Sequence, residues 1–377
     1  MAAGVAYHLC FLLLVTQVQG FFDVKAYGAK ANGMTDDSKR LERYACAAKE
    51  ASTVVIAKGN YMVGPLKFEG PCTAPVTVKV QGTLKAPADP KRLRDDWVAF
   101  RNVEGLTVSG GGIFDGQGAI AWSVNNCANL EMQFLAHKFT IHKADQLENR
   151  RDYVLNSKLF HMNILNCNNV TFQNIVINAP KNSLNTDGIH IGRSTMVNIT
   201  GATIRTGDDC VSLGDGCQQI NVEKVTCGPG HGISIGSLGR YHDEQPVIGV
   251  TVRNCTLTNT ENGVRIKTWP ASPSGVASNV NFEDIIMNNV SNPILIDQEY
   301  CPYNNCLAKV PSRVKISDVR FEGIRGTSAT QVAVKIVCSR GLPCQNVSVE
   351  DINLVYNGKE GSSTSLCANV KPQVSGK

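Results

Sequence analysis

The chain has 377 residues, with 37 Lys and Arg against 32 Asp and Glu, for a formal net charge of +5. So small and dispersed an excess argues against nucleic acid as a partner, and it suits an acidic one only where cations converge. The length allows two average domains, but a repeat protein uses it as one body.

An apolar run, Leu9-Cys-Phe-Leu-Leu-Leu-Val15, opens the chain, and Val18-Gln-Gly20 leaves a small residue before Phe21. This predicts a secretory signal over residues 1–20, lacking only a basic n-region. The run is well short of the roughly 20 apolar residues that a membrane span needs, and no later stretch supplies them. An extracellular protein with no membrane partner is expected, its single domain covering residues 21–377. Asp37–Ser52 shows helical periodicity and reads as an amphipathic cap on the N-terminal end. Leu130–Arg151 is polar, lacks clear alternation and reads as an irregular loop.

Beyond it, alternating apolar segments start at Val170, Val197, Ile220, Val250, Val280, Val314 and Val347. With Gly, Asn and Asp between them, they fit coils of two or three short strands. A second signature runs beside the first: Asp187-Gly-Ile-His-Ile-Gly, Asp209-Cys-Val-Ser-Leu-Gly and His231-Gly-Ile-Ser-Ile-Gly, each 22 residues after the last. Asn262-Gly-Val-Arg-Ile-Lys follows 31 residues on. Even spacing of similar strands marks stacked coils. A two-sheet sandwich would join its strands by hairpins, and tight two-residue turns are scarce here. The fold class expected is all-β: a right-handed parallel β-helix, a single-stranded solenoid.

Rungs of such a solenoid lie about 4.8 Å apart, so Asp187, Asp209 and His231 form one column. Side chains alternate faces, placing Ile189, Ile191, Val211, Leu213, Ile233, Ile235, Val264 and Ile266 inside. His190, Ser212, Ser234 and Arg265 then line the outside, with Lys267 beside Arg265. Gly207 permits a turn or bulge that brings both Asp208 and Asp209 to the surface. Crowded carboxylates repel, so at least one holds a proton at neutral or acidic pH. A protonated acid beside an ionised carboxylate is the equipment for glycosidic hydrolysis, and two cations suit a sugar that bears a carboxylate.

Of the 14 cysteines, Cys10 leaves with the signal and thirteen remain, so at least one thiol is unpaired within the chain. Cys210 with Cys227, and Cys338 with Cys344, read as local bridges, while Cys167 and Cys255 read as buried fillers. No CxxC pair or zinc-spaced His cluster occurs, so neither metal nor cofactor is expected. Sequons at Asn169, Asn198, Asn254, Asn289 and Asn346 suit an exported chain, although an Asn-rich solenoid produces such triplets by chance.

These residues resemble the polygalacturonases of glycoside hydrolase family 28. The likeness rests on Asn185-Thr-Asp187, Gly207-Asp-Asp-Cys210, Gly230-His-Gly232 and Arg265-Ile-Lys267, in the family's order, and on Cys227-Gly-Pro-Gly-His-Gly-Ile-Ser-Ile-Gly-Ser-Leu-Gly239. It extends from Phe22 onward and is strongest toward plant pollen-type exopolygalacturonases, a group that includes allergens. The resemblance implies hydrolysis of α-1,4-galacturonan in pectin, with inversion, by a cell-wall monomer. Asp208 is then the general acid, Asp187 and Asp209 activate water, and His231 tunes the acid. Arg265 and Lys267 bind the galacturonate carboxylate, with Asn185 and Tyr300 near the substrate. Leu184 departs from the family's Pro, and Cys367 lacks the further C-terminal cysteines that usually follow it.

Three alternatives remain open: an endo-acting enzyme with the same catalytic set, a pectin lyase, and an inactive carbohydrate-binding or antigenic solenoid. Only the loops that close the cleft separate exo from endo action, and spacing does not show them.

Overall fold

The computed structural model describes residues 20–42, 50–93, 96–125, 139–304 and 306–376. These residues form a parallel β-helix. Its strands fall into three parallel sheets of 13, 12 and 11 strands, each hydrogen-bonded to the equivalent strands one coil earlier and one coil later. One coil shows the plan: Thr195–Thr200 in the first sheet, Thr203–Arg205 in the second and Val211–Leu213 in the third. Gln218–Glu223 then starts the next coil in the first sheet.

Alternation decides what each coil buries. In the first sheet Val170, Val197, Ile220, Val250 and Val280 lie in register, all fully buried. Each such side chain contributes roughly 1.5–3 kcal/mol relative to an exposed position, and β-branching fits the pleat. Val319, not Val314, continues this column; Val314 pairs with Gly275 at the strand's start. In the third sheet Ile189, Val211, Ile233, Val264 and Ile294 form the matching inner column.

Two expectations change. The described part of the expected N-terminal helix spans Ser38–Glu42, residues 43–49 lie outside the described part, and Ser52 opens the strand Ser52–Ile56. The β-branched run Thr53-Val-Val-Ile56 favours a strand there. Leu130–Arg151 is not simply an irregular loop: residues 126–138 are outside the described part, but Phe139–His142 and Asp145–Arg150 are strands. Asn149 hides the alternation, because this polar residue occupies an inward position and is fully buried.

The bridges Cys210–Cys227 and Cys338–Cys344 form, and Cys301–Cys306 joins them. Cys167, Cys217 and Cys255 are buried free thiols and Cys367 is an exposed one. Residues 1–19 of the expected signal lie outside the described part. Among the described residues no helix is long and apolar enough to cross a membrane. Of the sequon asparagines, Asn198 is partly exposed and the other four are exposed. Asn169, Asn254, Asn289 and Asn346 hold positive φ, a conformation asparagine tolerates, which gives them a backbone role apart from any glycan.

Candidate active site

The repeated segments meet on the outer face of the third sheet. Strands Ile189–Gly192, Val211–Leu213, Ile233–Leu238 and Asn262–Thr268 are adjacent, with His190, Ser212, Ser234 and Arg265 in register. Asp187, Asp209 and His231 enter these strands at equivalent positions: the Gly188 N–H donates to the Asp209 carbonyl, and the Cys210 N–H to the Gly232 carbonyl. The column expected from the 22-residue spacing is present.

Its surroundings differ from expectation. Asp209 is not at the surface. It is 2% exposed, while Asp187 is 6% and Arg265 and Lys267 are each 7% exposed. Asp208, in the bend before the strand, stays partly exposed. Gly207 matters here through close approach, since a Cβ there would sit 1.9 Å from the Ser183 carbonyl oxygen. Its N–H donates to Thr186 Oγ1 at 3.0 Å, and Thr186 Oγ1 donates to the Ser183 carbonyl at 2.9 Å. These bonds tie the loop that carries Leu184 and Asn185.

Asp209 is clamped. Arg265 Nη2 donates to Oδ1 and Lys267 Nζ to Oδ2, each at 2.9 Å, and Ser234 Oγ donates to Oδ1 at 2.8 Å. Burial favours the neutral acid, but the charges of Lys267 and Arg265 and these hydrogen bonds outweigh it and lower the pKa to about 2. Asp187 has no such clamp. Burial, then the charges of Asp208 and Asp209, push its pKa well above the usual carboxylate range, opposed by Ser212, whose Oγ donates to Oδ2 at 2.7 Å, and by Lys267.

Asp208 Oδ1 accepts from His231 Nδ1 at 3.0 Å and from the Asp209 N–H at 2.8 Å. Burial opposes protonation of His231, but the hydrogen bond and charge of Asp208, with Glu261 and Asp209, raise its pKa. Its Nε2 lies 3.4 Å from Glu261. Asp208, Asp209 and His231 place oxygen or nitrogen atoms within 4.8 Å of one another. Asp209 already neutralises two cations, so a metal ion there would have to displace them.

Tyr300 belongs to the site: Lys267 Nζ lies 5.2 Å from its ring centroid and Trp269 packs edge-on to it at 5.6 Å. Arg240 covers Trp269 at 5.3 Å. Asn185 takes a left-handed turn, φ 55°, and its Oδ1 accepts from Asn125 Nδ2 at 3.3 Å. A hollow of about 560 Å³ adjoins His231, with Lys181, Glu261 and Ser291 in its wall.

Several site groups escape sequence reasoning. Fully buried His161 donates from Nδ1 to the Asp187 carbonyl at 3.1 Å, and its Nε2 accepts the Ser157 N–H at 3.4 Å. Burial lowers its pKa to about 4, so it is a neutral clamp on the backbone. No motif marks it. Ser212 and Ser234 were visible as equivalent repeat positions, but their links to carboxylates were not.

Over residues 46–376 the chain matches Glycosyl hydrolases family 28. It is 57% identical to an exopolygalacturonase of Arabidopsis thaliana, across 94% of this chain and 81% of that one. It is 49% identical to an exopolygalacturonase of Platanus acerifolia, across 94% and 96%. Among solved structures, an endo-xylogalacturonan hydrolase from Aspergillus tubingensis has a TM-score of 0.83 at 25% identity, covering 95% of this chain and 100% of that one. With its acids, histidine and cations converging on one face of the third sheet and its sequence matched over most of its length, the chain belongs to family 28 of the glycosyl hydrolases.

Proposed function

We propose that the chain is an exo-acting galacturonan hydrolase that releases terminal galacturonate from polygalacturonate with inversion at the anomeric carbon. One observation carries the chemistry: the ionised, buried Asp209 under Arg265 and Lys267, beside a partly exposed Asp208 held by His231. The exopolygalacturonases at 57% and 49% identity support the exo reading.

Asp208 Oδ1 is committed to His231 and a backbone N–H, so a proton on Asp208 sits on Oδ2 and is free to pass to the leaving oxygen. Asp187 and Asp209 hold a water on the other side; its oxygen bonds to the anomeric carbon as the glycosidic bond breaks, and its proton passes to a carboxylate. His231 keeps Asp208 oriented and helps it regain a proton. Arg265 and Lys267 neutralise Asp209 and offer their remaining N–H donors to the sugar carboxylate. Tyr300, against Lys267, borders that position, and Asn185 is assigned to the substrate's neighbourhood by the family likeness.

A second assignment is favoured by the raised proton affinity of Asp187, which would then be the acid with Asp209 as base. An aryl galacturonide with an activated leaving group separates the two. It restores turnover to whichever variant lacks the acid, Asp208→Asn in the first assignment and Asp187→Asn in the second.

Export to the cell wall and glycans at the exposed sequons belong to the same reading, and an enzymatic deglycosylation shift on the secreted protein checks them. The activity itself is tested by the products from polygalacturonate. Early monogalacturonate with slow viscosity loss is expected. A mixed oligomer ladder would establish endo action, and unsaturated products absorbing in the ultraviolet would establish a lyase.

A further inference from the structure

We propose that His190 is a positioning residue for Asp187: its Nδ1–H donates to Ser212 Oγ, whose proton goes to Asp187 Oδ2, leaving Oδ1 to receive the proton of the attacking water. The proposal rests on Asp187 as a base in the reading above.

A serine hydroxyl carries one proton. Ser212 Oγ spends it on Asp187 Oδ2 at 2.7 Å, so the 2.8 Å contact with His190 Nδ1 takes its proton from the imidazole. That fixes the neutral tautomer and holds equally for the imidazolium. Hydrogen bonds in such a chain polarise one another, so Ser212 donates more strongly with His190 behind it than without it. Phe160 supports the ring, 4.9 Å away between centroids and tilted by 35°.

The next rung repeats the device. Arg265 Nε donates to Ser234 Oγ at 3.0 Å, and Ser234 Oγ donates to Asp209 Oδ1 at 2.8 Å. His190, Ser212, Ser234 and Arg265 occupy one register line, so each buried aspartate has its own serine and each serine its own nitrogen donor. Asp209 also has two cations in direct contact, whereas the ionised state of Asp187 is favoured by the serine with its histidine and by the charge of Lys267, which is not hydrogen-bonded to it. The strands beside His190 face it with Asn163 and Ser212, both uncharged. The charges that act on the chain do so at its far end, from Asp208, Asp209 and Lys267.

The test is the pH dependence of kcat and KM on polygalacturonate for His190→Ala, His190→Asn, Ser212→Ala, the His190→Ala/Ser212→Ala pair and Asp187→Asn. His190→Ala should lower kcat by about 10-fold or more with little change in KM, and should move the acidic limb of the kcat profile to higher pH. His190→Asn, whose amide still donates to Ser212, should restore most of the turnover and the limb. The double variant should be no worse than Ser212→Ala alone, because the two act in series. An unmoved limb, a loss carried by KM, or additive single effects would overturn the role. Should His190→Ala fail to fold, Ser212→Ala and His190→Asn carry the same readings, and an unmoved limb in Ser212→Ala overturns it. An inactive Asp187→Asn beside an unaffected His190→Ala removes only His190. A fully active Asp187→Asn removes the base assignment and this proposal together.

Discussion

The outer faces of the first and third sheets use the same cross-strand device to different ends. On the first sheet Arg253 meets Glu223 at 3.0 Å and Arg320 meets Glu350 at 3.2 Å, in pairs open to solvent. On the third, Arg265 and Lys267 meet Asp209 at 2.9 Å, with the Asp209 side chain 2% exposed. Exposed pairs contribute little to stability, and buried ones cost heavy desolvation. The sheets differ in burial, not in pairing. A charge cluster that stability alone does not favour is retained where chemistry needs fixed, dry charges.

The contrast breaks most severely at Asp209. Asp209→Asn leaves a buried guanidinium and ammonium without their anion and should cost about 3–5 kcal/mol, read as a large drop in Tm, besides abolishing turnover. A wild-type Tm in this variant would mean that the cluster is not electrostatically closed. Next comes Asp208→Asn, at the partly exposed rim, which should lower kcat by about 100-fold or more and barely move Tm. Near-normal turnover on polygalacturonate would remove Asp208 as the acid.

A smaller effect of opposite sign is expected at Asp187. Its folded-state pKa is raised above the unfolded value of about 3.9, so the ionised form destabilises the fold above that pH. Asp187→Asn should therefore raise Tm at pH 7 while abolishing activity. The gain should vanish below about pH 3.9, where the wild-type group is protonated in both states. A lower Tm at pH 7 would contradict the assigned strain. Smallest is Arg253→Ala on the first sheet, for which no resolvable change in Tm or kcat is expected; a clear loss would show that exposure does not separate the two faces.

What the sequence disclosed follows the same division. The stacked coils and the Asp187–Asp209–His231 column were legible because each repeat writes its own phase, with apolar residues at alternate positions. The strand at Asp145–Arg150 was not, since Asn149 breaks that pattern from inside. Placing Asp209 at the surface was wrong for a physical reason: alternation separates core side from outer side, but an outer side roofed by Arg265 and Lys267 from two rungs on is buried too. His161 and Glu261 act on site residues from other rungs, and single residues carry no periodicity to announce that.

The most direct measurement is the proton NMR spectrum of the first product formed from polygalacturonate, recorded before mutarotation. Monogalacturonate appearing as the β anomer is the result predicted by the proposed roles, in which Asp208 protonates one face while a water held by Asp187 and Asp209 attacks the other. Initial α anomer would contradict that arrangement of the three carboxylates.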